Sequence, residues 1–240
     1  MAVRTNFAGE RRVLMILDHP WLHLTALGDS GLILPCIVLI ALWLATPSVT
    51  RGLAWRWLLL ALGVMAVVAA SKLAFMGWLI SLPGLDFTGF SGHSAAAAVV
   101  WPALGALLGA RRNSRWQLTG LLLGCALALM IGISRLAIHA HSPSEVVLGL
   151  LLGGVATLGF LWKYRSGWCL PERIYVAVLS MLLVLPLAWG HRFPSQPILK
   201  HLASQLGGHP AYTRRDLHRA RKAQANSPAV PVERQRDERS

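Results

Sequence analysis

LLLGCALALMIGISRLAIHAHSPSEVVLGLLLGGVATLGF, residues 121 to 160, decides the fold. Two apolar runs, roughly 116 to 134 and 144 to 163, each approach the ~20 mostly apolar residues that cross a bilayer core. Between them sits SRLAIHAHSPSE, residues 134 to 145, the richest polar stretch in an apolar neighbourhood. Working outward, runs of similar length and character recur at roughly 30 to 46, 54 to 80, 93 to 110 and 173 to 190. With 55% hydrophobic residues, 14% charged residues and a mean hydropathy of +0.52, the 240-residue chain does not have the balance of a soluble domain. It reads as an all-α, polytopic transmembrane bundle of about six helices.

Three parts follow from the same pattern: an amphipathic N-terminal segment over 1–29, a transmembrane domain over 30–190, and a basic, disordered C-terminal tail over 191–240. The apolar run VLMIL near the start is stopped by Asp18 and Pro20, so no cleaved signal is expected. Cys36 and Cys125 lie inside spans and Cys169 in a short loop, a distribution that suggests no disulfide framework. Most tryptophans, among them Trp43, Trp55, Trp57, Trp78, Trp116, Trp162 and Trp189, fall near span ends, where amphipathic rings favour the headgroup layer. Glycines spaced by four, Gly105 and Gly109, Gly120 and Gly124, Gly149 and Gly153, predict close helix packing in lipid.

The tail from Arg192 onward supplies much of the net charge of +13. It carries no aromatic interleaving and no nucleic-acid reading motif, so nucleic acid is not an expected partner; anionic lipid headgroups or plain solvation are. Arg51, Arg56, Arg111, Arg112, Arg115, Lys163, Arg165 and Arg173 occupy one set of connections, whereas loops 81–92 and 135–143 hold only Arg135. Basic residues in short loops favour the cytoplasm, which puts these two loops on the periplasmic or outer side of a bacterial inner membrane. Six spans then place both termini, including the basic tail, on that side too.

Ionisable residues near a bilayer core are costly and mark functional cavities. Here they are Lys72, His93, Arg135, His139, His141 and Glu145. Each also has a plain structural reading. Lys72 can snorkel to the interface, Ser91 can cap the helix that follows, and Ser142 with Glu145 has the spacing of a capping box, with Pro143 suited to the first turn. A cap does not require Arg135 or His141, however. A carboxylate fixed one turn from His141 can orient that ring and stabilise its charged form. Two cations, amide donors at a helix start, two histidines and one carboxylate on one side of the membrane fit a phosphoryl group. One carboxylate and no cysteine make a poor metal cage, so neither metal nor other cofactor is expected.

These residues resemble the type 2 phosphatidic acid phosphatase superfamily, which also includes bacterial acid phosphatases and vanadium haloperoxidases. Its third motif, Ser-Arg, five residues, His, three residues, Asp, is matched by Ser134, Arg135, His141 and Glu145. Its second, Pro-Ser-Gly-His, is matched by Phe90, Ser91, Gly92 and His93; of its first, a lysine followed after six residues by Arg-Pro, only Lys72 remains. The resemblance covers roughly 70 to 155. It implies a metal-independent phosphatase in which His141 becomes phosphorylated, Glu145 orients it, His93 protonates the leaving group, and Lys72, Arg135, Ser134, Ser91 and Gly92 hold phosphate. The implied substrate is a membrane lipid phosphate or a polyprenyl diphosphate.

Three departures accompany the match. Glu145 is longer than the family's aspartate by one methylene. Phe90 replaces a stiffer proline. Leu79 stands where the first motif has arginine, removing a charged hydrogen bond of about 1.5 to 3 kcal/mol; either the substrate differs or another basic residue folds in. Two other classes fit the same residues. Gly89-Phe90-Ser91-Gly92 also resembles the rhomboid nucleophile motif, which implies an intramembrane serine protease with His139 or His141 as base; and a non-enzymatic anion transporter would line its pathway with the same polar groups.

Overall fold

The structure, a computed structural model, describes residues 20–110, 112–162, 179–181, 183 and 194–226. The described residues are helical or loop: α1 (Pro20–Ala26), α2 (Ser30–Ala45), a 3-10 turn at Ser48–Thr50, α3 (Arg51–Trp78), α4 (Gly92–Ala110), α5 (Ser114–Ala137), α6 (Pro143–Leu161), α7 (Ser195–Gly207) and α8 (Arg214–Asn226). Five stretches are long and apolar enough to cross a membrane: Pro20–Ala45, Ser48–Trp78, Gly92–Ala110, Ser114–Ala137 and Pro143–Leu161. The protein is therefore an all-α transmembrane bundle, as the hydropathy pattern predicts. The expected sixth span, 173–190, lies almost wholly outside the described residues.

Helix starts follow local chemistry. Asp29 caps α2 by accepting from the Gly31 amide at 2.9 Å, and Asn113 caps α5 by accepting from Trp116 at 3.0 Å. Ser142 and Glu145 form the predicted capping box at the start of α6, with Pro143 in its first turn, so two amides that would otherwise lack partners are satisfied reciprocally.

The central element is α4. Beyond its first turn its residues are apolar all round, the pattern of a helix enclosed by others, and Ala95, Ala97, Val100, Ala103, Ala106 and Leu107 are fully buried. Small residues let its neighbours reach its backbone. A Cβ on Gly105 would collide with the Gly120 carbonyl, and one on Gly153 with the Ala95 carbonyl. The glycines spaced by four thus form packing seams in which backbones touch directly. Polar groups inside the bundle find backbone acceptors: Thr157 Oγ1 donates to Ala98 at 2.7 Å and Trp57 Nε1 to Ile37 at 2.9 Å. That bond corrects one expectation, because Trp57 and Trp43 are buried in the core, whereas Trp55, Trp78, Trp116 and Trp162 are exposed near span ends.

Arg56, near the start of α3, donates to the Gly159 carbonyl near the end of α6 at 2.6 and 3.1 Å. This defines one end of the bundle; the C-termini of α3 and α5 and the N-termini of α4 and α6 define the other. Two further parts of the chain join that second end. The described part of the segment read as an amphipathic N-terminal segment contributes α1, whose Thr25 is buried, and Trp101 Nε1 donates to Leu27 at 3.1 Å. Within the stretch read as a disordered tail, α7 and α8 are formed. Ala203 and Leu217 are buried, and two backbone carbonyls at the end of α3 receive Tyr212 N (to Met76, 2.8 Å) and His209 Nε2 (to Gly77, 2.9 Å). A few apolar residues on one helix face, plus carbonyls that α3 itself cannot satisfy, are sufficient to dock a segment whose composition looks disordered. The final PVERQRDERS lies outside the described residues.

Candidate active site

The turn before α4 is built around Lys72. Gly89 adopts φ +121°, a conformation in which an L side chain is strained, and a Cβ there would stand 2.8 Å from Lys72 Cγ. Glycine therefore lets the turn lie directly on the lysine. A Cβ built on Gly92 would be 3.9 Å from Lys72 Nζ, so the ammonium is beside the start of α4, where the first amides have no intrahelical acceptor. Phe90 N donates to Ser71 Oγ at 3.2 Å and Ser91 N to the Glu145 carbonyl at 3.0 Å. These bonds tie the turn to α3 and α6.

Glu145 is 0% exposed and its two oxygens are surrounded by donors. Oε2 faces His141 Nδ1 at 2.6 Å and accepts from Ser142 N at 3.2 Å. Oε1 accepts from Thr88 N at 2.8 Å and Thr88 Oγ1 at 2.5 Å. Arg214 Nη2 lies 2.8 Å from both oxygens. A buried carboxylate needs such compensation for lost water. With Nδ1 turned to Glu145, His141 keeps Nε2 for other chemistry. Burial pushes the His141 imidazole below its ordinary value, against the Glu145 hydrogen bond and charge that favour the protonated ring; the positive charges of Lys72 and Arg135 add to the downward push.

His93, on the first turn of α4, has Nε2 3.6 Å from Asp29 Oδ2 and feels the charges of Arg135 and His141. Arg135, near the end of α5, donates from Nη1 to Thr25 Oγ1 at 3.0 Å. Lys72 is buried with Glu145 and Arg135 as its electrostatic neighbours. Thus Lys72, Ser91, Gly92, His93, Arg135, His141 and Glu145 gather at one end of the bundle. Ser134, expected to hold phosphate, is buried beside Arg135 on the last turns of α5. Its hydroxyl donates to the Ile131 carbonyl at 2.6 Å inside its own helix. His139 is exposed and has φ +54°; it turns the chain so that His141 points inward.

Five residues at this end were not singled out from sequence: Thr25, Asp29, Asp86, Thr88 and Arg214. Asp29 has a local signal, an acidic residue immediately before an apolar run, which is the signature of an N-cap. Arg214 has none, being one arginine among many in a basic stretch.

A family model described as the PAP2 superfamily matches residues 77–168. The chain is 40% identical over 205 residues to an "Uncharacterized 22.5 kDa protein in cps region" of Klebsiella pneumoniae, covering 83% of this chain and 98% of that protein. It is 28% identical over 174 residues to glucose-6-phosphatase 3 of Homo sapiens, covering 62% of this chain and 49% of that protein. No solved structure matches the chain.

Proposed function

The chain belongs to the PAP2 superfamily and is a membrane phosphatase, a phosphoric ester hydrolase; from that premise we propose that it removes phosphate from a membrane lipid through a phosphohistidine on His141. The observation that carries this reading is the 2.6 Å contact between His141 Nδ1 and a fully buried Glu145. It gives the ring a fixed tautomer and leaves Nε2 with its lone pair.

In the first step Nε2 forms a bond to phosphorus while the bond from phosphorus to the leaving oxygen breaks, and His93 gives that oxygen a proton. Glu145 stabilises the positive charge that grows on His141. Lys72, Arg135 and the amides at the start of α4, from Gly92 onward, meet the negative charge on the three phosphoryl oxygens, while the Ser91 amide, which donates to the Glu145 carbonyl, holds that turn in place. In the second step His93 takes a proton from water, the water oxygen bonds to phosphorus, and the phosphorus–nitrogen bond breaks. Free phosphate leaves and both histidines return to their starting states. The oxygens of Glu145 are taken up by N–H and O–H donors, which favours a mechanism without a resident cation.

The lipid phosphates that suit such a site are phosphatidic acid, phosphatidylglycerol phosphate and polyprenyl diphosphates, because a site at the membrane surface accepts a headgroup while the chains stay in lipid. Ile198, Leu202 and Leu206 form an exposed apolar stripe on α7, as expected of a helix lying at the interface. Exposed Arg215 and Arg219 on α8 suit anionic headgroups. Arg51, Arg56, Arg112 and Arg115 lie at the opposite end of the bundle, supporting a site that faces the periplasm of a bacterial inner membrane.

Purified protein should release phosphate from this lipid panel in the presence of a chelator, lose activity to vanadate, and carry acid-labile phosphate on His141 after quenching. His141→Ala should lower the rate at least ~10³-fold, the scale of losing a covalent nucleophile. Normal turnover in that variant ends the proposal. The protease reading has no comparable support: among the described hydrogen bonds Ser91 Oγ is met by Ser94 Oγ at 2.9 Å, and no serine–histidine bond is present.

A further inference from the structure

Arg214 reaches Glu145 across 69 residues of sequence. Its Nη2 lies 2.8 Å from both carboxylate oxygens, and its Nη1 donates to Asp86 Oδ2 at 2.7 Å. The Asp86 carbonyl in turn accepts from Ser142 Oγ and, at 2.8 Å, from Ser144 Oγ. One guanidinium therefore ties the loop before α4 to the first turn of α6. The segment that carries it is anchored independently. His209 and Tyr212 hold the end of α3, Arg221 Nη2 donates to the Leu85 carbonyl at 2.5 Å, and Asp216 caps α8 by accepting from Thr213 N and Oγ1 at 2.8 and 2.6 Å.

A glutamate side chain has one more rotatable bond than an aspartate, so presenting Oε2 squarely to His141 requires something to fix its plane. A guanidinium nitrogen shared between both oxygens does so. The charge matters as well. The groups facing His141 are Lys72 from α3, His93 from α4, Arg135 from α5 and Glu145 from α6, with Asp29 behind His93 and the Asp86–Arg214 pair behind Glu145. Without Arg214, Glu145 would present its full charge to the imidazole and favour the protonated ring, which has no lone pair for phosphorus.

We infer that Arg214 is a positioning residue of the active site, delivered by the last described helix, which fixes the Glu145 carboxylate and offsets its charge so that His141 offers a neutral Nε2. The inference rests on the phosphatase reading above. It does not give Arg214 a contact with substrate.

The test uses the full chain in detergent and the pH profile of kcat/KM for phosphate release. Arg214→Gln should lower kcat by about 10- to 100-fold with KM changed less than about threefold, and should move the acidic limb to higher pH by about half a unit or more. Arg214→Lys, which keeps the charge and loses the fork, should leave the limb in place and recover part of the rate. An unchanged rate, or a lower rate with an unmoved limb, in Arg214→Gln overturns the inference. Should that variant not fold, Asp86→Asn decides. Freed from Asp86, Arg214 acts wholly on Glu145, and the limb should move to lower pH; an unmoved or raised limb overturns the inference. Absence of phosphate release from the wild-type protein defeats the phosphatase reading itself, whereas a normal wild type with indifferent Arg214 variants defeats only the role of Arg214.

Discussion

Asp29 Oδ2 stands 3.6 Å from His93 Nε2, so both histidines of the site face a carboxylate, one from the turn before α2 and one from α6. Asp29 also caps α2 through Oδ1, which fixes where its second oxygen points. If His93 protonates the leaving oxygen, Asp29→Asn should lower the rate about tenfold on an alkyl phosphate, whose leaving oxygen needs a proton, and much less on p-nitrophenyl phosphate, whose leaving group does not. Equal losses on both substrates would show that Asp29 only holds the fold.

In the proposed mechanism His141 attacks phosphorus as the neutral imidazole. Because burial pushes its imidazole below the ordinary value of 6.5, the ring loses its lone pair only as pH falls through that lowered value. The acidic limb of kcat/KM should therefore lie below 6.5, with full activity persisting in mildly acidic buffer. A pH–rate profile on wild-type protein checks this, and a limb above neutrality contradicts it.

Glu145→Gln removes the charge that Arg214 and His141 both use and leaves Arg214, which is 34% exposed, without its main partner. Stability in detergent should fall by about 1 to 3 kcal/mol, the cost of stranding a largely desolvated polar group, read as a lower melting temperature. Activity should fall more steeply than stability, at least ~10²-fold, because an amide does not stabilise the imidazolium that forms. Glu145→Asp should retain more activity than Glu145→Gln.

Gly89→Ala combines a strained φ of +121° with a Cβ only 2.8 Å from Lys72 Cγ. It should cost about 1 to 3 kcal/mol and displace the lysine from the start of α4, raising KM. Gly84→Ala, also at positive φ but with nothing within 4 Å, separates backbone strain from the clash and should leave KM near the wild-type value.

What the sequence revealed, and what it hid, follows the range of the interactions involved. The five described spans begin and end within a few residues of the apolar runs, except at the starts of the first two, where α1 extends the crossing back to Pro20 and the 3-10 turn carries the second back to Ser48. Hydrophobic length is a local property. The Ser142–Glu145 capping box was legible for the same reason, since its bonds join residues three apart. Trp57 was misplaced because a ring near a span end can face lipid or core, and only the position of Ile37 on a neighbouring helix decides. Helix α8 has few apolar residues, so the single buried Leu217 that seats it is invisible as a pattern. Arg214 was hidden most thoroughly. Its role depends on two carboxylates 69 and 128 residues away.

The distance between Glu145 and Arg214 along the chain also sets an order of events during synthesis. A ribosome delivers His93, Arg135 and His141 to the membrane well before it translates residue 214. Until α8 arrives, the described donors left to that carboxylate are Thr88, Ser142 and His141, and the last described helix acts as the stitch that closes the assembly.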